Sequence, residues 1–379
     1  MRLITAGESH GKALVAILEG LPAHLKVDIE EINKALALRQ SGFGRGGRQK
    51  IEKDRVEVLT GMRNGETLGS PLTLCIFNKD FIHWENCMSA QACDEEAMQK
   101  KALTRVRPGH ADLTGVIKYE QTDARNILER ASARETAIRV AAGEVYRQYL
   151  SAIGVEIGGC VREVCGIKDE KEYTFAELQN AKTTELGILD EEVSQRAKEK
   201  ITELKAAGDT AGGIVEIRVK GLKSGFGSVM SYGEKLDSKL AQALMSIQAI
   251  KGVEIGAGFD VAHVSGKEIH DEIFYDQEKG YYRKTNRAGG IEGGMSNGEE
   301  IVLRVAMKPI PTLMKGLQTV DYTTKEQAIS ASERSDVCAI FALQIIAESV
   351  VAEVLANVVE KRLGGDTVTQ IQERYERLP

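Results

Sequence analysis

The segment from Val337 to Val359 constrains the fold more than any other part of this chain. It is long and apolar, yet Gln344, Glu348, Glu353 and Asn357 interrupt it at spacings of four to five residues. That spacing lays the polar groups along one side of a helix. The segment therefore reads as a buried helix with a polar stripe rather than a membrane span. A helix of this kind needs other layers packed around it.

Composition supports a globular chain. Of 379 residues 38 are Gly but only 6 are Pro, which argues against disorder or a collagen-like repeat. The 50 Lys+Arg and 56 Asp+Glu leave a formal net charge of −6, so no nucleic-acid partner is expected. Met1 to Gly11 lacks the apolar core of a signal peptide, and no membrane partner is expected either. The six cysteines form no C-x-x-C pair and have no nearby His at zinc spacing. They read as free thiols in a reducing, cytoplasmic setting, with no metal.

Strands and helices alternate without a β-α-β rhythm. Asp28 is a candidate N-cap for a helix running through Leu38, with Glu31 three residues on. Strands are expected at 56–62, 72–77, around Ile214–Val219 and around Ile301–Val305. Helices are expected at 133–150, 235–247 and 337–362, the last ended by Gly364-Gly365. Grouped strands between separated helices favour an α+β layered fold over a doubly wound sheet. We expect a single domain over 1–379, with a polar, acidic and solvated helical excursion around 169–205.

The total charge hides local asymmetry. Arg39, Arg45, Arg48, Lys50, Lys53, Arg55 and Arg63 are threaded with Gly42, Gly44, Gly46 and Gly47. Glycine lets backbone N–H groups approach a ligand, and Arg offers a planar fork for phosphate or carboxylate. The segment suits a small polyanion, or is a solvated loop. Arg105-Val-Arg-Pro-Gly-His110 and Arg125, Arg130 and Arg134 form a second cluster. Ser132 and Glu135 are placed for a capping box, at a helix start that also suits a phosphate. His10 and His110 each sit in a glycine turn near arginines and are candidates for proton transfer. A metal site from His10, His110 and Asp112 is an alternative without ligand spacing to support it. Asp336 precedes the long helix and is a candidate cap.

Taken in order, these motifs resemble the chorismate synthase family. The matching segments are Gly7-Glu-Ser-His-Gly11, Arg39-Gln-Ser-Gly-Phe-Gly-Arg45, Arg107-Pro-Gly-His-Ala-Asp112 and Arg130-Ala-Ser-Ala-Arg-Glu-Thr136. Ser246 to Gly256, Ala288 to Gly294, Lys308-Pro309 and Arg334-Ser-Asp336 complete the set. The resemblance implies a β-α-β sandwich of antiparallel sheets around central helices, assembled as a homotetramer. It implies a lyase that removes phosphate from 5-enolpyruvylshikimate 3-phosphate by 1,4-anti elimination, giving chorismate.

Reduced FMN (FMNH2) is the implied cofactor, used without net redox change. By the same resemblance, His10 protonates the departing phosphate, His110 sits by the flavin ring, and Asp336 assists proton removal from C6. Ser9, Arg39, Arg45, Arg107 and Arg134 hold the substrate; Arg39 and Arg45 are alternatively contacts for NADPH. Flavin contacts fall to Arg130, Ala131, Ser132, Gln248, Ala249, Gly293, Lys308, Pro309, Ile310, Pro311, Thr312 and Arg334. No reductase domain is visible, so an external flavin reductase is the expected partner. Two positions depart from the pattern: Leu38 where a second Arg is common beside Arg39, and Gln248 where Asn is common.

Overall fold

A computed structural model describes residues 1–46, 53–278, 280–331 and 335–379. Two antiparallel sheets enclose a helical layer. The first contains β1 (Arg2–Ala6), β2 (Ala13–Glu19), β3 (Glu57–Thr60) and β4 (Leu72–Phe77), in the order β1-β2-β4-β3. The second contains β5 (Glu156–Val164), β6 (Ile167–Lys168), β7 (Gly213–Lys220), β8 (Ile250–Ile255) and β9 (Ile301–Met307), in the order β8-β9-β7-β5-β6.

Strand periodicity sets which face is covered. Leu14, Ala16 and Leu18 of β2 and Leu72, Leu74 and Ile76 of β4 are buried. Along β9 burial alternates strictly, with Ile301, Leu303, Val305 and Met307 inside. Between the sheets lie α1 (Ile29–Gln40), α2 (Thr136–Ser151), α3 (Leu236–Met245) and α4 (Ile340–Leu363). Asp28 caps α1 by accepting from the Glu30 and Glu31 backbone N–H groups, as its sequence position leads one to expect. One hydrophobic cluster runs through both sheets and all four helices.

The helix α4 is long and apolar enough to cross a membrane, but 83% of that apolar window is buried inside the protein. The first half of its polar stripe is buried too, while Glu353 and Asn357 are half-buried. Gln344 donates from Nε2 to the Gly159 carbonyl at 2.8 Å. Glu348 meets Lys182 at 2.6 Å and Arg147 at 3.0 Å. Both side chains are fully shielded from water, and a buried charge of this kind persists only when paired. Lys182 comes from the acidic excursion, whose helix Glu191–Ala207 buries only Ala197 and Ile201.

Three expectations shift at their boundaries. The 56–62 strand ends at Thr60 and continues as a separate two-residue hairpin, Met62–Arg63 with Glu66–Thr67. The 133–150 helix opens with a 3₁₀ turn over Ala133–Glu135. The last helix starts at Ile340, because the Val337 and Cys338 N–H groups bond to the Gly44 carbonyl instead. Gly44 has φ +89°, and a Cβ there would lie 3.0 Å from the Cys338 Cβ, so only glycine fits this contact comfortably.

The helices α2 and α4 cross at Gly143. A Cβ at that position would lie 2.3 Å from Ser349 Cβ and 2.7 Å from its Cα, so the two backbones would have to part. Alanine favours a helix interior by about 1 kcal/mol over glycine, whereas overpacking a rigid core costs about 1–3 kcal/mol. Since the clash is with backbone, overpacking prevails. Gly143→Ala is expected to lower stability by roughly 2 kcal/mol in urea denaturation; an unchanged or higher midpoint would show that this crossing tolerates a methyl group.

Candidate active site

The ends of several elements converge on one cavity of about 540 Å³. The β1–β2 loop supplies Ser9 and His10, α1 supplies Arg39, and the glycine loop after it supplies Arg45. Arg107 and His110 come from the turn before the helix Asp112–Tyr119, and Ala131, Ser132 and Arg134 from the approach to α2. Gln248 and Ala249 enter from the turn before β8, and Lys308, Ile310, Pro311 and Thr312 from the chain leaving β9. Asp336 closes the wall just before α4. Among the described residues the lining thus holds Arg39, Arg45, Arg107, Arg134 and Lys308 against one carboxylate, that of Asp336. Such a cavity selects anions.

Each arginine is held by named partners. Arg107 donates from Nε and Nη2 to Asp112 at 2.8 and 3.0 Å, and from Nη1 to Thr312 Oγ1 at 3.0 Å. Arg134 forms a two-pronged pair with Asp54 at 2.5 and 2.8 Å and also bonds Asn78 Oδ1. Arg45 reaches Asp336 at 3.0 Å. Arg39 has only neutral partners among these contacts: Thr136 Oγ1 at 2.9 Å and the Ala133 carbonyl at 2.7 Å. Burial, with Arg134 and Arg45 adding to it, pushes the Arg39 guanidinium down to about 9. An arriving anion would relieve that strain on the charged form.

The two histidines rest on buried carboxylates. His10 Nδ1 lies 2.9 Å from Glu129 Oε1, and His110 Nδ1 lies 2.5 Å from Asp112 Oδ1. Burial favours a neutral Asp112, but hydrogen bonds from His110 and Arg107 outweigh it and hold the carboxyl well below its usual range. With both oxygens of Asp112 engaged in this way, the metal alternative loses a ligand. Among the described residues no group of three or more His, Cys, Asp or Glu could hold a metal ion.

Two capping expectations are corrected. Ser132 Oγ accepts from the Arg134 N–H, but Glu135 turns away and takes the Gln248 amide at 2.9 Å, so no capping box forms. Asp336 does not cap α4. Its Oδ1 accepts from the Gly46 N–H at 2.6 Å, tying the glycine loop to the helix start.

Three expected flavin contacts stand outside the cavity lining. Arg130 donates to the Gly7 carbonyl and Thr5, Pro309 packs by Gly212, and Gly293 lies in the Ile291–Ser296 hairpin. Arg334, with Arg48 and Lys50 of the basic loop, lies outside the described residues. Leu38 packs against the main core rather than lining the cavity. Sequence reading missed Asp54, Asn78 and Glu129, whose partners are 56 to 119 residues away and leave no local signal.

The chorismate synthase family model matches residues 1–359. The chain belongs to the chorismate synthase family. It is 52% identical over 376 residues to the chorismate synthase of Alkaliphilus metalliredigens (strain QYMF), covering 99% of this chain and 98% of that one. It is also 52% identical over 385 residues to the chorismate synthase of Geobacter sulfurreducens (strain ATCC 51573 / DSM 12127 / PCA), with the same coverage. A crystal structure of chorismate synthase superimposes with a TM-score of 0.79 at 39% identity, covering 99% of this chain and 96% of that chain. The α+β sandwich is therefore the family's fold. Its reaction is the family's as well: a lyase step of the shikimate pathway that yields chorismate.

The Asp112 carboxylate anchors this site. Asp112→Ala would leave the Arg107 guanidinium buried without its counter-charge, at a cost of about 3–5 kcal/mol at pH 7. Because the folded state holds Asp112 ionised below its unfolded value, the stabilisation is complete above about pH 4 and is lost as pH falls below it. The gap between the urea midpoints of the two proteins should therefore be steady from pH 7 to about pH 4 and begin to narrow by pH 3; no narrowing would exclude an ionic contribution.

Proposed function

We propose that 5-enolpyruvylshikimate 3-phosphate loses its phosphate in this cavity, beside a bound reduced FMN. The observation that carries the reading is the cluster of four guanidinium groups lining one cavity, with Arg39 lowered by burial and then by its cationic neighbours. A substrate bearing phosphate and carboxylates supplies the missing charge. The residues present also fit a flavin: Arg45 Nε and Gln248 Oε1 are buried with no partner among the described residues, one donor and one acceptor on residues of the cavity wall. When bound, reduced flavin supplies electron density that assists departure of the phosphate.

In this reading Arg39, Arg45, Arg107 and Arg134, with Ser9, orient the anionic groups. His10 gives its proton to the leaving phosphate oxygen. His110, fixed by Asp112, would sit by the flavin ring as its proton donor, and Asp336, held by Arg45 and Gly46, would assist removal of the C6 proton. Ala131, Ser132, Gln248, Ala249, Lys308 and Ile310 to Thr312 form the flavin wall. Arg130, Pro309, Gly293 and Arg334 are assigned to flavin through the family pattern.

The flavin arrives reduced from an external reductase in this reading, with NADPH as the ultimate reductant. Exposed Met230, Tyr232, Phe259 and Tyr281 favour self-association, and the homotetramer is assigned through the family pattern. Six unpaired cysteines favour a cytoplasmic setting, and the continuous core favours a single domain over 1–379.

Anaerobic assay with reduced FMN and substrate should release equal amounts of phosphate and chorismate. His110→Ala and Asp336→Asn should each lower kcat by about 10²-fold or more while KM changes little. Losses confined to KM would remove both from the proton chemistry.

A further inference from the structure

The proton donor His10 is held from three directions, and two of the groups responsible are absent from any motif in the sequence. Its Nδ1 lies 2.9 and 3.0 Å from the two oxygens of Glu129. Its backbone N–H donates to Glu129 Oε2 at 2.7 Å. The ring stacks on Trp84 with centroids 3.9 Å apart and planes inclined by 24°. Glu129 is 1% exposed, and it belongs to the helix Arg125–Ala131. The Glu129 carbonyl also accepts from the Ser9 N–H at 2.9 Å, so the same residue holds the backbone of the loop that carries His10.

We infer that Glu129 is the positioning residue of His10, taking the Nδ1 proton, turning Nε2 to the cavity and supplying the counter-charge that the protonated ring requires. The inference rests on His10 as the proton donor proposed above. The physical need is clear from the surroundings. Arg125 comes within 3.5 Å of Glu129 on the same helix. Lys101 and Arg125 sit over Trp84, whose indole N–H bonds Asp80. Arg39, Arg107, Arg134 and His110 line the same cavity. Amid these cations a protonated imidazole is unfavourable without an adjacent anion, and Glu129 is the carboxylate in contact with it. Reciprocally, burial favours the neutral acid at Glu129, but His10 and Arg125 overcome it and lower the carboxyl.

Trp84 is the single tryptophan of the chain, so its emission reports on His10 without any turnover. Protonated imidazole quenches stacked indole. Titration of the free enzyme should therefore show emission falling on acidification, and His10→Gln should abolish that transition. Glu129→Gln keeps an acceptor for Nδ1 but removes the charge. It should move the fluorescence midpoint about one pH unit or more lower. The alkaline limb of kcat/KM should move by the same amount in the same direction, because the protonated donor is lost earlier as pH rises. Glu129→Asp keeps the charge and should stay close to the parent midpoint, whereas a packing role would make both variants equally damaging.

An unmoved midpoint and limb in Glu129→Gln would overturn the proposal, as would equal midpoints for the Gln and Asp variants. If the midpoint shifts but His10→Gln retains full turnover, the positioning of His10 by Glu129 stands, and the proton-donor role of His10 falls.

Discussion

The close crossing of α2 and α4 is the contact on which the remaining architecture depends. Gly143 lets the two backbones approach until Ser349 fills the space a side chain would occupy. With the helices this close, α4 can be covered by the second sheet while α2 reaches the first, and one continuous core joins the layers. The crossing also sets the geometry of the candidate site. The approach to α2 carries Ser132 and Arg134, the approach to α4 carries Asp336, and both open onto the same cavity. A shift at the crossing would separate them.

Within that frame, charge is arranged in pairs. Asp112 orients Arg107, Asp54 orients Arg134, and Asp336 orients Arg45. Buried ion pairs contribute little net stability, since desolvation offsets their attraction. Their value here is positional: a guanidinium tied at one edge cannot collapse onto the wrong anion. The histidines repeat the device, each with a carboxylate at Nδ1. A lyase that must hold a dense anion and move protons nearby needs both groups oriented before substrate arrives.

Much of the site was legible because the family pattern is local. Gly7 to Gly11, Arg39 to Arg45, Arg107 to Asp112 and Lys308 to Thr312 are each short stretches of chain, and the fold brings residues of each to the cavity. What escaped are the supports. Glu129 lies 119 residues from His10, and Asp54 lies 80 from Arg134. No spacing rule connects residues that meet only after two sheets have closed over the helices. The capping expectations failed for the same reason. Ser132 and Glu135 have the right residues for a capping box, but Gln248 from a distant turn competes for the Glu135 carboxylate.

The sequence alone determined that a long apolar helix with a polar stripe had to be buried, and that arginines would be clustered among glycines in a few short segments. Both follow from local chemistry: periodicity decides which face is apolar, and residue type decides what a loop can bind. Only the tertiary structure decided where the polar stripe went. Gln344 and Glu348 face Gly159, Arg147 and Lys182 inside the protein rather than water. It also decided which carboxylate each arginine and histidine would face. Those choices depend on distances between chain segments far apart in sequence, and packing of the layers sets them.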